Sequence, residues 1–198
     1  YTYSIDFNKV TSVTDAKGFA RNITDDVKGN MTQIIEPGNL VYTAAYNSNG
    51  EITSSSDPKG NIFTYNYDAF GNPTTATGPN SYHATLAYDY RGNLLSYTDA
   101  RNNLSIMEYD ILDRLKKITD PINNNIQFTY DADGNAIIVK NENNENSFLK
   151  YDASNRIVEY KDAIGNKTTL AYDAMDNITS LGNAAGANSS FGYDTRNR

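Results

Sequence analysis

The chain lacks cysteine and tryptophan altogether, and its 198 residues include one histidine and five prolines. Without cysteine there is no disulfide, no thiolate nucleophile and no thiolate metal site, although the compartment stays open. His83, the one histidine, cannot make a usual zinc site without a second His or a Cys. Nothing specifies a Ser-His-Asp arrangement around it, because Ser and Asp recur along the whole chain as turn formers. Apolar runs are short. None approaches the roughly 20 residues of a membrane span, and no basic-then-apolar stretch reads as a signal peptide. Positive charge is scarce too: 17 Lys and Arg stand against 24 Asp and Glu, a net charge of −7. Nucleic-acid phosphates and an anionic membrane are therefore not expected partners.

What is abundant is tyrosine: 16 Tyr against 7 Phe, within an apolar share of only 38%. Tyr has a large apolar ring and a polar tip, which suits half-buried sheet positions better than a deep core. Asn, Asp, Thr, Ser and Gly fill much of the rest, residues of turns and, for Thr, of the solvent side of strands. Composition leans toward an all-β chain.

An internal repeat confirms that direction. Tyr-Asp or Tyr-Asn begins at Tyr46, Tyr67, Tyr88, Tyr109, Tyr130, Tyr151, Tyr172 and Tyr193, always 21 residues apart. Projected backward, the period lands on Asp25 and Ser4, where the Tyr is lost but the surrounding pattern survives. Four residues after each of these positions stands Gly, Asn or Asp: Asn8, Gly29, Gly50, Gly71, Gly92, Asp113, Gly134, Asn155, Asp176 and Asn197. These residue types tolerate the left-handed backbone. Asn or Arg mostly follows, then a branched or long aliphatic residue such as Leu94, Leu115 or Ile157. The pattern predicts a tight turn leading into a strand.

Half a period later comes a second turn, as in Asp15-Ala16-Lys17-Gly18, Glu36-Pro37-Gly38-Asn39, Asp57-Pro58-Lys59-Gly60-Asn61 and Asp162-Ala163-Ile164-Gly165-Asn166. Asp caps such a turn and Gly or Asn closes it. Each period thus holds two turns and two short strands, a β-hairpin. The strand before each Tyr alternates, with Tyr65, Leu86, Met107, Phe128, Leu149, Leu170 and Phe191 two residues upstream of the Tyr and polar or small residues between. Alternation of this kind predicts a sheet with one apolar face. On the other strand the apolar positions fall three apart, as in Leu115 and Ile118, or Ile178 and Leu181. That spacing predicts a bulge or a late strand start.

One such hairpin cannot bury its apolar face alone, so neighbours must add edge to edge. The expected fold is all-β: repetitive antiparallel hairpins forming a long twisted or spiralling sheet, part of a shell or a fibre. Residues 1–198 read as a single array of about nine and a half repeats with no linker. Both ends fall inside a repeat, so the array is expected to continue. The Tyr residues should stack from repeat to repeat as a ladder on one face, and the glycines should set the turns.

Tyr88-Asp89-Tyr90-Arg91-Gly92-Asn93-Leu94 with Thr98-Asp99, and Tyr67-Asp68-Ala69-Phe70-Gly71-Asn72, resemble the YD repeat of the RHS family. This family includes bacterial RHS toxins and toxin-complex shell proteins, wall-associated surface proteins and teneurins. The resemblance spans the whole chain and is weakest before Asp25. It implies an antiparallel sheet spiralling into a hollow shell, which in the toxins encloses a cytotoxic C-terminal domain and in teneurins serves adhesion. It also implies a secreted or cell-surface setting, with flanking repeats or other copies of the chain as partners. Toxin shells of this family end in a segment with an Asp-Pro-x-Gly-Leu motif. Here Asp57-Pro58-Lys59-Gly60 is followed by Asn61 and occupies an ordinary second turn.

Sought chemistry is sparse. A catalytic carboxylate pair should be singular, yet each Asp recurs with the period, so no enzyme is expected. Asp-x-x-Gly-Asn turns bring oxygens together as calcium loops do, but lack the spacing of an EF-hand or a calcium β-roll. Backbone capping is the commoner use of such an Asp; no cofactor is expected, with structural calcium the one candidate. Two alternatives to a shell wall stay open: an extracellular fibre or adhesin built from the same ribbon, and a glycan-binding surface, which would need aromatic rings on the outer face.

Overall fold

The computed structural model describes residues 1–5, 9–196 and 198; the expectations for Asn8 and Asn197 lie outside them. It forms two compact units, Tyr1–Leu104 and Ser105–Arg198, and the 21-residue period runs through that boundary without insertion. The described residues hold nineteen β-strands and no helix. In the first unit these are β1 (Thr2–Tyr3), β2 (Val10–Thr14), β3 (Ala20–Asp25), β4 (Met31–Glu36), β5 (Leu40–Tyr46), β6 (Ile52–Ser56), β7 (Ile62–Tyr67), β8 (Pro73–Gly78), β9 (Tyr82–Tyr88) and β10 (Leu94–Thr98). Then follow β11 (Leu104–Tyr109), β12 (Leu115–Thr119), β13 (Asn125–Tyr130), β14 (Ala136–Lys140), β15 (Asn146–Tyr151), β16 (Ile157–Lys161), β17 (Lys167–Tyr172), β18 (Ile178–Gly182) and β19 (Asn188–Ser190). Within each unit every strand pairs antiparallel with the next one in sequence.

The two hairpin types differ in register. Where the Tyr strand comes first, the ladder slips by one residue: Thr129 pairs with Ile138 but Tyr130 with Ala136, leaving Ile137 extra. The same slip recurs at Tyr46, Tyr67, Tyr109, Tyr151 and Tyr172. This bulge explains the three-residue apolar spacing. An extra residue shifts the pleat by one, so Leu115 and Ile118, opposite Tyr109 and Met107, share a face. Where the Tyr strand comes second, the register is regular, as in Ile138–Phe148, Val139–Ser147 and Lys140–Asn146.

The turns are built alike. Asp131 N–H donates to the Asn135 carbonyl at 3.0 Å, and Gly134 N–H donates to the Asp131 carbonyl at 3.3 Å. Gly134 has φ 92°, and at its counterparts Asp113, Asn155 and Asp176 φ lies between 60° and 67°. A hairpin loop that closes a tight turn with one left-handed residue needs Gly, Asn or Asp there. Gly29, Gly50, Gly71 and Gly92 also have positive φ, as the sequence predicts. Two second turns depart from the pattern. Pro37-Gly38-Asn39 puts both Gly38 and Asn39 at positive φ. Asn80 and Ser81, at φ 56° and 60°, make a two-residue loop closed by Tyr82 N–H donating to the Pro79 carbonyl.

Packing is shallow. Ala84 is the buried apolar residue of the described chain, at 2% exposure, and no polar side chain is buried. Gly29 and Gly182 are the other buried positions. One face nonetheless collects most of the larger apolar residues, while Ile106, Ile138 and Phe148 lie on the other. In β13, Phe128 and Tyr130 lie on it, with Val139 opposite Phe128; in β15, Leu149 lies opposite Tyr160. Phe128, Tyr130, Val139 and Leu149 are half-buried, and Tyr160 is 39% exposed.

Candidate functional site

The recurring site is the join between successive repeats, where each Tyr meets the bulge of the repeat before it. The Tyr130 hydroxyl donates to the Leu115 carbonyl at 2.7 Å, fifteen residues back. Tyr46, Tyr67, Tyr151, Tyr172 and Tyr193 do the same to Met31, Ile52, Ala136, Ile157 and Ile178, at 2.8 to 3.0 Å. Each acceptor is the first residue of a bulged strand, where the ladder is disrupted and a carbonyl needs another donor. Tyr88 is the exception within the first unit: its hydroxyl has no hydrogen-bond partner among the described residues.

The eight Tyr rings do not stack on one another; the ring contacts among described residues are Phe63 with Tyr82 and Phe128 with Tyr130. The reason is spacing. Tyr strands alternate with bulged strands, so successive Tyr side chains are two strand spacings apart, roughly 9.6 Å. Each ring instead reaches across the bulged strand. Where the residue five after the preceding Tyr is Arg114 or Arg156, its guanidinium occupies the gap. Arg114 lies over the Tyr130 ring at 4.6 Å, and Arg156 over Tyr172 at 4.7 Å.

Those arginines also bind both turns they touch. Arg156 Nε donates to Asp152 Oδ2 at 2.8 Å, while its Nη1 donates to the Asp173 carbonyl at 3.0 Å and to Asp176 Oδ1 at 2.7 Å. Arg114 joins Asp110 Oδ2 and the Asp131 carbonyl in the same way. Asn135 takes the position with a neutral amide, donating to Asp131 Oδ2 and to Asn155 Oδ1. Nearer the start, Lys28 Nζ donates to the Ser48 carbonyl and Lys9 Nζ to the Gly29 carbonyl. The sequence shows Asn or Arg recurring at this position, which was the available signal; their bridging role needed the geometry.

The turn Asp is spent on the backbone. Asp89 Oδ1 accepts from the N–H groups of Arg91 and Asn93, and Oδ2 accepts from the Asn93 amide. Asp57 does the same with Lys59 and Asn61, so Asp57-Pro58-Lys59-Gly60 is built as an ordinary turn. Hydrogen bonds from Asn side chains and backbone amides hold the carboxyls of Asp26, Asp57, Asp89 and Asp99 below the usual carboxylate range. At Asp152 the Arg156 side chain leads that effect. Among the described residues no three His, Asp or Glu side chains converge as a metal-binding set, and His83 lies exposed on β9.

The apolar face carries a cleft of about 290 Å³ in the first unit. Its floor is Ala44 opposite Ser55, small residues where other repeats place Leu149 and Tyr160 or Leu170 and Leu181. Ile34, Tyr42 and Phe63 wall it. No helix among the described residues is long and apolar enough to cross a membrane, which says nothing of strands.

Single-layered hairpins locked to their neighbours by tyrosine define a repetitive β-scaffold. The RHS Repeat family profile matches residues 46–83, 88–121 and 151–188, together more than half of the chain. The chain belongs to the RHS repeat family. Comparison with curated proteins gives no significant match. Among solved structures, a TcdB2-TccC3-Cdc42 crystal structure is similar over 100% of this chain and 12% of its own, at 16% identity and TM-score 0.68. A TcdB2-TccC3-TEV structure gives 14% identity and TM-score 0.55 over 100% of this chain and 15% of its own. The Photorhabdus luminescens Tc holotoxin pore, with a TccC3 variant, gives 13% and 0.52 over 89% and 12%. At these identities the likeness concerns the fold. The chain spans about an eighth of the length of the first of these structures.

Proposed function

We propose that this array is a non-catalytic wall segment of a β-shell, within a large secreted or surface-exposed protein, and that the shell encloses a toxin domain or other cargo. One observation carries the reading: a single sheet that gathers most of its larger apolar side chains on one face and, among the described residues, leaves them only partly covered. A free-standing domain needs a second layer to bury such a face; the wall of a container does not, because the face lines the enclosed space. The Tyr residues and left-handed turn glycines then act as structural parts, fixing one repeat to the next. Likeness in fold to TcdB2-TccC3 assemblies and to a Tc holotoxin pore supports the reading. Glycan binding gains nothing from the arrangement, since six of the repeat tyrosines have committed hydroxyls.

Electron microscopy of the whole protein that carries this array tests the proposal. Closed hollow particles with density inside are expected. Long fibres would overturn it in favour of the adhesin or fibre alternative.

A further inference from the structure

The chain is acidic overall, with a net charge of −7, yet its charges are sorted. On the strands of the second unit, the face opposite the tyrosines carries five lysines and two glutamates. Pairing fixes the assignment: Glu108 is opposite Lys117, Gln127 opposite Lys140, Phe148 opposite Lys161, Lys150 opposite Glu159, and Lys161 opposite Lys167. The same face of the first unit carries hydroxyls and amides instead, among them Thr43, Ser54, Thr64, Asn66 and Thr75.

The two glutamates do not neutralise the lysines. Glu108 pairs with Lys117 at 3.1 Å, and Glu159 bridges Lys150 and Lys167 at 3.0 and 2.6 Å. Lys140 and Lys161 have no carboxylate partner among the described residues. Lys161 moreover sits directly across the strand pair from Lys167, whose charge Glu159 takes up, so Lys161 remains as the excess cation of that pair. Phe148, 41% exposed, is Lys161's other cross-strand neighbour, an aromatic ring beside an excess cation.

We propose that this lysine face of the second unit is a docking surface for an acidic polypeptide. An exposed aromatic among charges is the composition of a protein-binding patch. The interspersed Glu108 and Glu159 suit a partner of mixed sign with an acidic excess, which complementary charge can steer and register. A uniform polyanion fits less well. It would meet those two carboxylates and the Asp-rich turns at both ends of the strands, and the lysines are point charges without the planar fork that favours phosphate. The surface lies on the side away from the apolar face, so this inference stands apart from what that face encloses.

Fluorescent poly-L-glutamate titrated into the full 198-residue chain tests it, with heparin, single-stranded DNA and phosphatidylserine vesicles in parallel. Binding to polyglutamate that weakens with salt, and that falls about tenfold or more in K140E/K161E, is expected. That variant sets a carboxylate across from Lys167 in place of a second ammonium, so folding should be retained, and K140Q/K161Q serves if it is not. A control, K17E/K59E, reverses two lysines in turns of the first unit and should bind as the parent does. Unchanged affinity in both Lys140/Lys161 variants would overturn the proposal. So would equal or tighter binding to heparin, DNA or vesicles, which would reassign the surface to that class.

Discussion

Replacing Tyr130 by Phe isolates the part of the clamp that is least expected from composition. The substitution keeps the ring against Arg114 and removes the hydroxyl that donates to the Leu115 carbonyl at 2.7 Å. A hydrogen bond of this kind is worth about 0.5–1.5 kcal/mol net. Tyr130 is half-buried, so water can partly reach the freed carbonyl, and a loss of about 1 kcal/mol is expected. Tyr88→Phe is the internal control. Its hydroxyl has no partner among the described residues, and a change there should stay within about 0.5 kcal/mol.

The readout must be local, because a repeat array unfolds in segments and a single melting point averages over them. Hydrogen exchange of the amides in β12, read by mass spectrometry, reports opening at the acceptor strand. A loss of about 1 kcal/mol corresponds to exchange roughly fivefold faster. Equal behaviour of Tyr130→Phe and the parent, or equal damage from Tyr88→Phe, would show that the hydroxyl clamp contributes nothing and that ring packing alone joins the repeats.

Two further perturbations follow from the turns. Gly134→Ala places a Cβ where no atom lies within 4 Å, at φ 92°, so its cost is backbone strain alone, about 1–2 kcal/mol, seen as faster exchange in β13 and β14; no change would remove the left-handed requirement. Turn carboxyls such as Asp57, Asp89 and Asp152 have folded pKa values below their unfolded ones. Their contribution is therefore fully present above the unfolded carboxylate range near about 4 and is lost as pH falls through the folded values. Circular dichroism titrated from about pH 7 to 2 should show unfolding confined to the acid side of about pH 4, and a chain whose stability already declined between about pH 7 and 5 would contradict the caps.

Much of this architecture was legible because one 21-residue pattern is written many times. Each Gly, Asn or Asp predicted at positive φ and described by the structure is there, from Gly29 to Asp176. The bulge announced itself in the three-residue spacing of Leu115 and Ile118. Other features needed coordinates. The turns at Asn141 and Asn183 use an Asn Oδ1 as the cap, accepting from Glu145 and Ala187 N–H groups, and so escape a search for Asp. A stacked Tyr ladder was a fair reading of a fixed spacing in sequence. It fails in space because a bulged strand lies between successive Tyr strands, a distance the sequence period does not encode. Arg114, Asn135 and Arg156 recur visibly, but recurrence says nothing of the partner in the next repeat.

A scaffold with so shallow a core must draw stability from its joints, and here the joints answer a problem that the fold itself creates. The bulge that lets two apolar residues three apart share one face also disrupts the ladder at that carbonyl. At six joints the next repeat's Tyr supplies the missing donor, while Arg114 and Arg156 lie against its ring and, like Asn135, tie the two turns. Each repeat is therefore incomplete until its successor is in place. Stability becomes a sum over neighbours, which rewards long arrays and tolerates change within one repeat.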